Sequence, residues 1–309
     1  MEVKDWTYEE FPEFAEEIKG VGIIRTTGDE MGTRYVHHVE YANVNGVPLH
    51  LQILLPYSRN EPEKVCPCVV FVQGSAWREQ DVFRNVPLVA RLADKGYVAA
   101  VVQYRHSGIA PFPAQAIDAR NAVRFLRKNA KEYCIDPDRI ILSGCSSGGH
   151  TAVYAGMLHN DETPDNLYPG VSGEVKGIIN YYGSVSVMPE DANPTTLNHH
   201  LPDSPEGMEM GGVNLRERLD LREKLSLENH ITRETEIAPV LIFHGTKDRT
   251  VNAKVSAILY RRMKEMGKDV RFFLIQGGDH GGPEFWSEEV LSIADDFIRE
   301  CLAENGKMV

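Results

Sequence analysis

The sequence predicts an α/β fold: a mostly parallel eight-stranded sheet with helices on both faces and one insertion between late strands. Three observations carry this. Short β-branched runs alternate with longer amphipathic segments along most of the 309 residues, the rhythm of strand–helix–strand units. A composition of 42% hydrophobic and 25% charged residues is that of an ordinary globular chain able to bury a sizeable core. The rhythm breaks only over residues 184–236, which are rich in Pro, Asn and Asp.

In chain order, the strands read as YVHHVEYAN (35–43), LHLQILLP (49–56), CVVFVQ (68–73), YVAAVVQY (97–104), RIILSG (139–144), KGIINYYG (176–183), PVLIFHG (239–245) and VRFFLIQG (270–277). Asn45-Gly46 between the first two tolerates positive φ and predicts an antiparallel hairpin. Helices are expected over 82–95, 114–132, 147–159, 251–266 and 284–304, where apolar residues recur at three- and four-residue spacing. Within 184–236, MPEDANPTTLNHHLPDSPEGMEMGG reads as irregular and LRERLDLREKLSLENHI as helical. A structureless loop this long is uncommon in a compact domain, so the stretch is read as a cap inserted into a single domain spanning 1–309. No internal repeat or dividing linker stands out.

A net charge of -12 and a pI near 5.4 argue against nucleic acid or an anionic membrane as partner, since both need a clustered positive field. No apolar run approaches the roughly 20 residues that cross a bilayer. The first residues, MEVKDWTYEEFPEFAEEIKG, lack the basic flank and apolar stretch of a secretory signal, which predicts a cytoplasmic protein. Cys66, Cys68, Cys134, Cys145 and Cys301 form neither a disulfide framework nor a zinc-ligand pattern, and fit a reducing compartment.

Chemistry concentrates at LSGCSSGGH (142–150). Gly144-Cys145-Ser146-Ser147-Gly148 fits G-x-S-x-G between a strand and a helix-compatible run. That is the context of a nucleophile elbow, in which a sharp turn holds the central serine clear of the sheet and the helix dipole faces developing negative charge. Ser146 is therefore the candidate nucleophile, and the Ser147 amide the first oxyanion donor. Cys145 reads as a buried spacer. Serine at its ordinary pKa needs a histidine base and an orienting acid, expected in the order Ser, acid, His. Asp248 (HGTKDRTV) and His280 (GGDHGG) each follow a strand C-terminus, where open α/β sheets build their sites. Asp279 is the rival acid, but adjacency to His280 makes the required hydrogen bond awkward. Among the eleven histidines, His244 is expected to brace the acid loop and His150 lies on the elbow helix. His106, His159, His199, His200 and His230 fall outside the expected order or position. The loop Gln73-Gly74-Ser75-Ala76-Trp77 supplies the second oxyanion amide, from Ser75 or Ala76, and Trp77 is the candidate wall of a substrate pocket.

At these residues the sequence resembles the α/β-hydrolase superfamily, within it the esterase and lipase group near the bacterial feruloyl and acetylxylan esterases, and is similar to prolyl oligopeptidase catalytic domains. The likeness runs from about 35 to 300 through QGSAW, GCSSGGH, SLENHI, HGTKDRTV and GGDHGG. It departs from the group at Gln73, Ser75 and Ala76, where HGGGW is frequent, and at Ser226-Leu227, where Ser-Pro is frequent. The resemblance implies an α/β-hydrolase fold and two-step hydrolysis of carboxylic esters, including acetyl or hydroxycinnamoyl groups on plant-derived sugars. The expected partner is a small-molecule ester; no metal or organic cofactor is required, and a homo-oligomer is left open. Amide or peptide hydrolysis on the same three residues ranks lower, because the 34 residues ahead of the first strand supply no gating domain. A silent fold that only binds a ligand is the third reading; it has no need of Ser146, Asp248 and His280 together.

Overall fold

The computed structural model describes residues 3–158, 163–187 and 194–303. All eight expected strands form one sheet: β1 (Gly32–Val44), β2 (Val47–Tyr57), β3 (Cys66–Val72), β4 (Val98–Val102), β5 (Ile135–Cys145), β6 (Gly177–Tyr181), β7 (Val240–Gly245) and β8 (Val270–Ile275). Their order across the sheet is β1-β2-β4-β3-β5-β6-β7-β8. β2 runs antiparallel to β1 and β4, and the other neighbouring pairs are parallel. The hairpin turns at Asn45 (φ 53°) and Gly46 (φ 85°), the two positive φ values of a type I′ turn.

The helices are α1 (Val86–Ala93), α2 (Ala114–Lys128), α3 (Ser147–Met157), α4 (Pro205–Glu209), α5 (Leu219–Leu225), α6 (Lys254–Glu265) and α7 (Glu288–Leu302). Alternate residues of each strand face opposite sides, so one sheet carries two cores. Val70 and Val72 of β3 pack with Ala119 and Leu126 of α2, Val153 of α3 and Leu259 of α6. Val69 and Phe71 pack with Val89 and Leu92 of α1 and Leu291 and Phe297 of α7. Helices thus cover both faces, and the C-terminal ends of the parallel strands are left open for loops. Among the described residues, no helix is long and apolar enough to cross a membrane.

Three helices begin later than their periodicity suggests. α7 starts at Glu288 because Ser287 caps it, its side chain accepting from the Val290 amide, while Pro283–Trp286 ahead of it form a separate 3₁₀ turn. The expected ends at 159 and 304, and His159, lie outside the described residues. The run 215–231 is not one helix: α5 stops at Leu225 and a 3₁₀ turn covers Leu227–His230. Ser226 breaks it with an extended backbone (φ -83°, ψ 107°), its hydroxyl donating to the Arg222 carbonyl and accepting from the Val187 amide. The segment between β6 and β7, of which 188–193 lie outside the description, has a small core of its own. It comprises Val187, Met210, Leu215 and Leu225 against Phe112 from the main body.

Candidate active site

The elbow is built by close backbone approach. Ser146 adopts φ 53°, ψ -126° directly between β5 and α3, a conformation that is strained for a residue with a Cβ. The flanking glycines let α3 lie against the sheet. A Cβ on Gly144 would stand 2.2 Å from the Gly148 carbonyl oxygen, and one on Gly148 would stand 2.0 Å from that of Val72. The Ser146 amide donates to the Tyr181 carbonyl (2.9 Å), anchoring the turn to β6.

Ser146 Oγ lies 2.8 Å from His280 Nε2, and His280 Nδ1 lies 2.7 Å from Asp248 Oδ2. Asp248 is an acceptor only, so Nδ1 carries the proton and Nε2 is free to accept from the serine hydroxyl. The second carboxylate oxygen of Asp248 accepts from the amides of Thr250 (2.9 Å) and Val251 (2.8 Å). His244 adds a further bond: its Nε2 faces both Asp248 Oδ2 (3.1 Å) and the Val251 carbonyl (2.8 Å), so it donates, and Ser256 Oγ (2.8 Å) serves Nδ1. Burial alone would raise the Asp248 carboxyl, but the hydrogen bonds from His244 and His280 hold it well below the usual carboxylate range. It is ionised at any working pH. Asp279, the rival acid, pairs instead with Arg249 (2.5 Å), which lowers its carboxyl to about 2.

Cys145 is buried, with its thiol pushed up by that burial and accepting from the Gly74 amide (3.3 Å). A protonated thiol is a poor nucleophile. Ser147 opens α3, and Ser75, Ala76 and Trp77 lie beside it on the cavity wall. The loop amides are not equivalent, because that of Ser75 donates to Ser147 Oγ (2.9 Å). Ala76 (φ 56°) and Trp77 (φ 51°) follow in left-handed conformations. Trp77 is 1% exposed: its indole donates to Thr151 Oγ1 (3.3 Å) and packs edge-on against His150. The ring therefore pins this loop to α3.

The cavity over Ser146 and His280 measures about 500 Å³. Its lining includes apolar Phe71, Leu88, Tyr182 and Trp286 and polar Ser184, His199 and Glu206. Tyr182 packs edge-on against the His280 ring at 5.0 Å between centroids. His199 Nδ1 faces Glu206 Oε1 (2.9 Å) and its Nε2 faces the Thr250 carbonyl (2.8 Å). Both partners accept, so each ring nitrogen is placed to donate, an arrangement that favours the protonated ring. Burial opposes that charge, and Glu206 outweighs it, raising the imidazole and lowering its own carboxyl. Sequence reasoning sets His199 aside and contains no signal for Ser184 or Glu206, whose placement depends on how the inserted segment folds back over the sheet, and it reads Tyr182 only as the end of an expected strand.

A strand order with one antiparallel edge, a serine on an elbow after β5, an acid after β7 and a histidine after β8 define an α/β-hydrolase. The chain belongs to the BD-FAE family, whose model matches residues 51–263. It is 24% identical over 242 residues to Esterase LipC of Mycobacterium tuberculosis, covering 74% of this chain and 57% of that protein. A probable isoprenylcysteine alpha-carbonyl methylesterase of Oryza sativa is 25% identical over 263 residues, covering 78% and 60%. The chain spans about half the length of the first curated relatives it matches. Among solved structures, a truncated carbohydrate esterase from gut microbiota superposes with a TM-score of 0.71 at 24% identity, covering 89% of this chain and 98% of that one.

Proposed function

We propose that the protein is a serine carboxylic ester hydrolase acting through an acyl-enzyme on small or sugar-linked esters, with acetyl and hydroxycinnamoyl groups as the acyl classes. The observation that carries this is the hydrogen-bonded chain from Ser146 through His280 to Asp248 on the wall of one cavity. Ser146 Oγ attacks the ester carbonyl while its proton passes to His280 Nε2, and the imidazolium is stabilised by Asp248. The carbonyl electrons move onto oxygen, then return as the C–O bond to the alcohol breaks, and His280 protonates the departing alkoxide. Water repeats the sequence on the acyl-enzyme, with His280 as base, and restores the serine.

Curated relatives named as esterases support the ester reading, and the carbohydrate esterase among the structural neighbours supports a sugar-linked alcohol. In the same reading, segment 184–236 acts as a cap, supported by Leu197, His199 and Glu206 on the cavity wall. Five free cysteines support a cytoplasmic setting. The test is hydrolysis of a short-chain aryl ester. Ser146→Ala should lose nearly all activity and labelling by a fluorophosphonate, whereas Cys145→Ala keeps most of both. The opposite pattern rejects the assignment of the nucleophile, and silence of the wild type toward the probe across pH 6 to 9 rejects the enzyme. Aryl esters compared with aminoacyl anilides separate ester from amide hydrolysis.

A further inference from the structure

We propose that a chain of three hydrogen-bonded hydroxyls, those of Ser75, Tyr104 and Ser147, fixes the oxyanion loop so that Ala76 and Ser147, and not Ser75, supply the oxyanion amides. Tyr104 is then a positioning residue for the reaction, and this inference rests on the ester-hydrolase reading.

The protons of these hydroxyls can be assigned one by one. Ser75 Oγ lies 2.6 Å from the Arg78 carbonyl, which only accepts, so the Ser75 hydroxyl spends its single proton there. Tyr104 OH, 3.0 Å from Ser75 Oγ, must therefore donate to it. Ser147 Oγ, 3.3 Å from Tyr104 OH, donates in turn to the tyrosine oxygen. Ser147 Oγ keeps a lone pair, and this receives the Ser75 amide at 2.9 Å. The direction of every bond is thus set by one carbonyl. Burial pushes the Tyr104 hydroxyl up, which keeps its proton in place throughout the working range.

Two consequences follow for the loop. The amide of Gly74 is taken by Cys145 Sγ and that of Ser75 by Ser147 Oγ, so the first two amides of the loop are committed to the elbow's own side chains. The next is that of Ala76, on the cavity wall in a left-handed conformation. Tyr104 fastens the arrangement to the sheet. It follows β4 by two residues, is 2% exposed, and its amide is held by Gln80 Oε1 (2.9 Å). Preorganised amides cost no rearrangement when charge develops, which is the condition for strong oxyanion stabilisation.

The experiment uses Tyr104→Phe, Ser147→Ala and Ser75→Ala in the full chain, with an aryl ester as substrate and an aryl trifluoromethyl ketone as inhibitor. The ketone adds to the nucleophile and places an oxyanion in the hole. Loss of a donor outright costs roughly 100-fold or more in kcat; a donor misplaced but present should cost about tenfold. All three variants are expected to lower kcat about tenfold with KM within about twofold, and to raise the ketone inhibition constant by the same factor as kcat falls. Ser147→Ala is decisive, because it also frees the Ser75 amide. If Ser75 were the true donor, that variant would hold or gain kcat, and this overturns the proposal. Equal loss of KM and kcat, or a ketone constant that does not track kcat, also overturns it. Ser75→Ala carries the same expectation with the least change to the core, should Tyr104→Phe fold poorly. A wild type that neither hydrolyses esters nor takes up a fluorophosphonate instead sinks the ester-hydrolase reading.

Discussion

Lowering the pH from 7 to 4 should weaken this fold through one imidazole. His150, on α3 next to the elbow glycines, is 1% exposed and donates its Nε2 proton to the Leu225 carbonyl (2.9 Å) at the end of α5. Its ring sits among Trp77, Phe112 and Tyr154. Burial lowers its pKa from 6.5 to about 4, against a smaller raising effect of the Leu225 bond. An unfolded chain takes up this proton as pH falls through 6.5, whereas the folded chain takes it up only near 4. Stability contributed by the neutral ring is therefore complete above 6.5 and lost as pH falls toward 4. At about 1.4 kcal/mol per tenfold change, the displacement corresponds to about 3 kcal/mol. Urea denaturation followed by tryptophan fluorescence at pH 7, 5.5 and 4 measures it, with His150→Gln as comparison. Glutamine also reaches Leu225 with an amide but does not titrate, so its stability should fall about 3 kcal/mol less over the same range. Identical pH dependence in both proteins would refute the reasoning.

Two further outcomes follow from the site. Asp248→Asn should lower kcat on an aryl ester by about four orders of magnitude. The carboxylate accepts from His280, His244, Thr250 and Val251, and an amide with one acceptor oxygen turns an N–H toward one of them. Facing His280, that N–H favours the tautomer protonated on Nε2, which cannot take the serine proton; steady-state kinetics with unchanged labelling stoichiometry checks this. Gly148→Ala should destabilise the protein by about 3 kcal/mol in urea denaturation. Alanine in a helix is favoured over glycine by about 1 kcal/mol, but a Cβ placed 2.0 Å from the Val72 oxygen forces backbone apart. A variant as stable as wild type would refute the close-packing account of the elbow.

Legibility in the sequence followed the range of the interaction. The eight strands and the Asn45-Gly46 turn are local patterns of apolar runs and backbone tolerance, and the observed strands overlap every expected one. β5 begins at Ile135 rather than 139 because an irregular pairing of Ile135 with Cys66 extends it, which no local pattern records. The elbow was readable because its glycines answer a steric demand within five residues. Asp248 and His280 were readable only as positions after strands, and their 2.7 Å contact depends on β7 and β8 lying side by side. The buried pair of Arg105 with Asp118 (2.8 Å) left no trace, since a charged residue in α2 resembles a solvated one. The oxyanion loop was ambiguous for a related reason. The amide of Ser75 is taken by a hydroxyl 72 positions further along the chain, which no local pattern records.

In the ester-hydrolase reading proposed above, with the segment between β6 and β7 as a cap, the seat of that segment links size to speed. Thr196 holds the Arg249 carbonyl through its amide (2.8 Å) and hydroxyl (2.9 Å), and His199 holds that of Thr250. The same short turn gives two amides to Asp248. Prising this flap upward to admit a bulky guest pulls on the turn that keeps the imidazole aligned. Guests that slip beneath it meet a primed serine, and those that must lift it slacken the machinery they came to use.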